Sequence, residues 1–131
     1  MSDCYCILLR TASRKVTALY DAALAPFGIT LAQFSLMRRI RRGEPVSITD
    51  LAQRAELDRS TVGRNLKPLE RLGLVQHVTS LDQREASVAL TDAGHALLKQ
   101  ADPVWHQVQV DLETRLGAAD AGQLTRLLHA L

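Results

Sequence analysis

No apolar run in this 131-residue chain approaches the roughly 18 residues that a helix needs to cross a bilayer, which excludes a membrane span. The first nine residues, Met1 to Leu9, hold no Lys or Arg and are too short to read as an export signal. Cysteine is scarce: only Cys4 and Cys6 occur, and two thiols without an export signal point to the reducing cytoplasm. No second Cys or His cluster lies at metal-binding spacing, so neither a metal nor a cofactor is expected. A phosphate loop, paired carboxylates and a nucleophile–base–acid grouping are all missing, and these absences argue against an enzyme. Repeats, low-complexity tracts and linker-like stretches are absent as well. The length suits one domain with its own core.

What is present is unevenly distributed charge. The net value is only +2, yet residues 38–84 carry ten Lys or Arg against six acids, while residues 85–131 carry three against six. Positive charge is thus gathered in the middle of the chain, as expected where a protein meets a polyanion. Charge alone is equally compatible with a solvated basic surface, so the motifs must decide.

Hydrophobic spacing and capping residues divide the chain into elements. Ser2 or Asp3 can cap a first helix to about Ala25, and Pro26-Phe27-Gly28 stops it. Thr30 caps a second helix to about Arg42, ended by Gly43-Glu44-Pro45. The extended piece Val46-Ser47-Ile48 leads to a compact helix, Thr49 to Ala55. After a tight turn through Glu56-Leu57, Asp58 caps a helix to about Leu72, which Gly73 stops. Two strand-like runs follow, Leu74–Thr79 and Ala86–Leu90. Thr91 then caps a long helix with Pro103 inside it, where a kink is expected. A short last helix holds Leu124, Leu127 and Leu128.

Two short helices joined by a tight turn, followed by a β-hairpin, make a winged helix-turn-helix, and the second helix of such a pair lies in the major groove. At about 100° per residue, Val62, Leu66 and Leu69 cluster on one side of that helix. Opposite them lie Ser60, Arg64, Lys67 and Arg71, with Thr61 on the flank. Free N–H groups and small hydroxyls at a helix start can hold a phosphate, and Arg can fork onto guanine O6 and N7. Gly63 would let the backbone approach bases closely. Pro68 frees the carbonyl of Arg64 from its bond and should bend the helix.

These residues resemble the MarR family over nearly the whole chain. The matching pieces are Gly28-Ile29-Thr30 with Gln33, Leu51-Ala52, Asp58-Arg59-Ser60-Thr61-Val62, Leu69-Glu70-Arg71-Leu72-Gly73-Leu74-Val75, Asp82-Gln83-Arg84 and Leu90-Thr91-Asp92-Ala93-Gly94. The resemblance implies a mainly α fold, a single domain over 1–131. In it, 29–90 form the DNA-binding lobe with a two-stranded antiparallel wing, and 1–28 and 91–131 form a helical dimerisation region. It implies a homodimer bound to an inverted-repeat operator in double-stranded DNA, usually a repressor released by a small molecule or an oxidant. It also implies that Arg84 enters the minor groove with Asp82 orienting it, which suits the attraction of a narrow groove for guanidinium.

The stretch from Cys6 to Phe34 is similar to the organic-hydroperoxide-sensing branch of that family, with its lone first-helix Cys, a Tyr at Tyr20 and the run Thr30–Gln33. Two further positions where that branch has tyrosine hold Arg10 and Leu31. A thiol in a first helical turn, with Arg10 one turn on, would favour the thiolate of Cys6. Tyr20 could meet that thiol only from a partner subunit. The other reading makes Cys4 and Cys6 small hydrophobes of a dimer seam. His77, His95, His106 and His129 are scattered over different elements and read as ordinary surface residues. One reading from another class also stays open: a winged helix that binds proteins and not DNA.

Overall fold

The computed structural model describes residues 3–79 and 86–131. Its elements follow in the order α1 (Tyr5–Leu24), α2 (Leu31–Gly43), β1 (Val46–Ser47), α3 (Ile48–Ala55), α4 (Arg59–Arg71), β2 (Val75–Val78), β3 (Ser87–Leu90), α5 (Asp92–Leu116) and α6 (Ala118–His129). A short 3₁₀ turn, Ala25–Phe27, links α1 to α2.

Short polar side chains start most of the helices. Thr30 and Gln33 form a reciprocal capping box: the Thr30 hydroxyl accepts from the Gln33 amide, and the Thr30 amide donates to the Gln33 side chain. Ser47, Asp58 and Thr91 accept from the amides of Asp50, Thr61 and Gly94. The first helix differs from expectation. It begins at Tyr5 with Cys4 as its N-cap, and no side chain caps it, so Asp3 does not fill that role.

The hairpin grows into a three-stranded antiparallel sheet of order β1-β3-β2, because Val46–Ser47 pairs with Ser87–Val88. This puts β3 in the centre and buries Ser87 along with Val88 and Leu90. Two residues are too short a run to read as a strand from alternation alone, and only the pairing partner makes them one. Helix α5 runs unbroken through Pro103, whose side chain is on the exposed side.

A continuous core joins these elements. Phe34, Met37 and Ile40 of α2, Leu51 of α3, Val62 and Leu69 of α4, and Val88 of β3 are all fully buried. Helix α5 enters this core through Leu98 and Ala101. Its first turn lies directly on the start of β2: the Thr91 amide donates to the Leu74 carbonyl at 3.1 Å. A Cβ at Gly94 would come within 2.1 Å of that same carbonyl oxygen, so only glycine fits there. The Arg41 guanidinium forks onto the Asp102 carboxylate at 2.8 and 3.3 Å, tying α2 to α5.

Candidate nucleic-acid interface

Helix α4 is set by the turn before it. Glu56 adopts a left-handed conformation (φ 55°), and the Leu57 amide returns to the Ala52 carbonyl, closing α3 sharply. Asp58 then starts α4. Its carboxylate takes the Thr61 amide at 2.9 Å and the Ser60 hydroxyl at 3.1 Å. Hydrogen bonds from Thr61, hydroxyl first and amide second, and then from Ser60 hold the Asp58 carboxyl below its ordinary range.

Helix α4 presents the two faces that its spacing implies. Val62, Leu66 and Leu69 are buried, while Ser60, Arg64, Lys67 and Arg71 are exposed and Thr61 is half-buried. An Arg64 Nη donates to the Thr61 hydroxyl at 3.2 Å, which steers the guanidinium along the outer face. A Cβ at Gly63 would meet nothing within 4 Å, so packing inside the chain does not require glycine there. Pro68 lies inside α4, yet the helix continues to Arg71. Lys67, Glu70 and Arg71 line a shallow hollow on this helix. Asp82 and Arg84 lie outside the described residues.

The candidate sensing residues are not gathered at one place within the chain. Cys4 and Cys6 are free and exposed at the start of α1, and Arg10 is exposed one turn on. Tyr20 is buried, and its hydroxyl donates to the Gln109 side-chain oxygen on α5. Burial raises its pKa first, and the nearby Glu113 raises it further. Fourteen residues of α1 separate it from Cys6, about 21 Å along the axis.

Several features escaped the sequence reading because each joins residues far apart in the chain. His77 Nε2 lies 2.6 Å from a Glu70 carboxylate oxygen, linking β2 to α4. His95 Nε2 makes the same contact with Glu44, whose other oxygen accepts the Leu90 amide at 2.8 Å. Arg38 of α2 stacks over Trp105 of α5 at 4.2 Å, and its Nε is buried with no acceptor among the described residues. Burial, with Arg42 next, lowers the pKa of that guanidinium.

The flanking helices leave a groove. Leu9 and Val16 of α1, Leu112 and Leu116 of α5, and Leu124 and Leu128 of α6 line a depression of ≈ 790 Å³. Leu124, Leu127 and Leu128 are 43%, 58% and 44% exposed. Among the described residues, no helix is long and apolar enough to cross a membrane.

A family model described as MarR family matches residues 27–85. The HTH-type transcriptional repressor Rv2887 of Mycobacterium tuberculosis is 31% identical over 112 residues, spanning 85% of this chain and 81% of its own. The crystal structure of that protein with p-aminosalicylic acid superposes with a TM-score of 0.72 at 27% identity, over 98% of each chain. The transcriptional regulator MosR of M. tuberculosis, solved in complex with DNA, is 33% identical with a TM-score of 0.78, over 98% of each chain. The transcriptional repressor CouR, bound to a 23-mer DNA duplex, is 26% identical with a TM-score of 0.89, over 97% of this chain and 91% of its own.

Proposed function

This chain belongs to the MarR family, and from that premise we propose that it is a sequence-specific DNA-binding transcription regulator acting as a homodimeric repressor on an inverted-repeat operator. The observation that carries the reading is the cationic outer face of α4, with Arg64, Lys67 and Arg71 exposed opposite a fully apolar stripe. Arg64 reads a base in the major groove, while Lys67 and Arg71 meet phosphates. Ser60 and Thr61 hold a further phosphate at the helix start. Arg84, oriented by Asp82, reaches the minor groove. The protein acts by binding, not catalysis, and works in the cytoplasm, where its DNA is.

Residues 29–90 form the DNA-binding lobe, and 1–28 with 91–131 form the dimerisation region. A second copy covers the apolar groove between α1, α5 and α6, since leucines so exposed on three adjoining helices form too large a patch for a stable monomer. An effector releases the DNA. The p-aminosalicylic acid complex of the M. tuberculosis relative makes aromatic carboxylates the first small molecules to try. The oxidant reading assigns the sensing thiol to Cys6, with Cys4 near it and Arg10 one turn on; the buried Tyr20, bonded to Gln109, stays outside it.

A mobility shift on the DNA upstream of its own gene, titrated with salt, tests the central reading. Affinity should fall steeply and linearly with the logarithm of salt concentration. Weak, salt-independent retention would favour a protein-binding winged helix. Repeating the shift with p-aminosalicylate, and with mild peroxide on Cys4→Ser and Cys6→Ser variants, separates the two kinds of effector.

A further inference from the structure

Helix α4 carries Arg59, Arg64, Lys67 and Arg71, and a single carboxylate among them, Glu70. That carboxylate shares a hollow with Lys67 and Arg71, an unfavourable position on a surface that meets phosphates. It is held there by His77, whose Nε2 approaches its oxygen at 2.6 Å.

Strand register explains why His77 is within reach. Val75 pairs with Leu90 and His77 with Val88, so these four side chains share one face of the sheet. Val75, Val88 and Leu90 are buried on that face, and His77 is the next position outward, where the core ends and the last turn of α4 begins. One backbone bond is missing where that turn begins. Pro68 has no N–H, so the Arg64 carbonyl lacks its helical partner two residues before Glu70.

We propose that Glu70 and His77 are a positioning pair for DNA recognition, a brace that fixes the last turn of the reading helix against the wing sheet. This rests on the DNA-binding reading above. The brace aims Lys67 and Arg71, and it covers the one carboxylate within the helix. Lys67, Glu70 and Arg71 are the charged groups that α4 brings to His77; Ser87–Leu90 of β3, and Gln76 and Val78 beside it, carry none. The imidazole edge at 2.6 Å holds the Glu70 carboxylate against the wing sheet.

The test uses the duplex that the parent protein enriches from a random pool, and a random duplex of equal length, at constant ionic strength and pH. His77→Ala should lower the selected-to-random affinity ratio, and His77→Arg, which keeps a donor and a charge, should restore it. The loss in His77→Ala should be about two- to five-fold, the effect of one exposed ion pair, with thermal midpoints of both variants near that of the parent. A ratio indifferent to His77→Ala, or one that His77→Arg fails to restore, overturns the brace alone. Absence of salt-dependent binding by the parent overturns the DNA reading and the brace with it.

Discussion

The stretch from residue 29 to 90, the proposed DNA-binding lobe, closes over most of its apolar side chains, Leu57 and Leu72 excepted, and the helices that flank it leave many of theirs open. Phe34, Met37, Ile40, Leu51, Val62, Leu69 and Val88 are all fully buried by residues of this one chain. In α1 only Tyr20 and Leu24 are buried, and in α6 none is. Both regions show helical apolar spacing, so periodicity alone does not tell a satisfied face from an unsatisfied one. The pattern in the lobe is mostly answered from within; the flanking pattern is left largely unanswered within this chain. The two are joined through α5, whose first half packs into the lobe core and whose second half forms the open groove.

The largest expected effect tests the closed half of this contrast. Phe34→Ala removes a fully buried ring and should cost about 3–5 kcal/mol in urea unfolding. A loss below about 1 kcal/mol would mean that the lobe core is not the tight unit described. The open half is tested next. Leu124→Asp with Leu128→Asp places two charges in the groove, and sedimentation should then report monomers whose circular dichroism keeps the parent helix content. Dimers of unchanged affinity would refute the assignment of that face.

A smaller effect separates two residues within the lobe. Arg64→Ala should lose about 1–3 kcal/mol of preference at one base pair per half-site, read from single-base operator variants. Lys67→Ala should weaken all sequences alike and reduce the salt slope by about one. An unchanged ranking of variants in Arg64→Ala would remove its base-reading role. The smallest effect concerns pH. The Asp58 carboxyl is held below its ordinary value, so its capping contribution is complete above that value and is lost as pH falls through the lower folded one. Asparagine caps without titrating. Asp58→Asn should therefore lessen the acid-side fall in the thermal midpoint, and an unaltered acid limb would assign that fall to other carboxylates.

Much of this was legible from residue order. Thr30, Asp58 and Thr91 read as caps and act as caps, and the buried and exposed faces of α4 follow from spacing alone. Such features depend on residues three or four apart, within the reach of one helical turn. The start of α1 was less legible, since Ser2 and Asp3 offered competing caps, whereas the helix begins after Cys4 with no side-chain cap.

By itself, then, the sequence determined the order of the helices and of the hairpin strands, the polar face of α4 and the family, all of which rest on local patterns of spacing and side-chain chemistry. Only the tertiary structure decided that Val46–Ser47 is a strand, that Tyr20 spends its hydroxyl on Gln109, and that the surface residues His77 and His95 lie against Glu70 and Glu44. Each of these contacts joins different elements of the fold. Strand register and helix packing set the distance between such residues, and no periodicity along the chain encodes it.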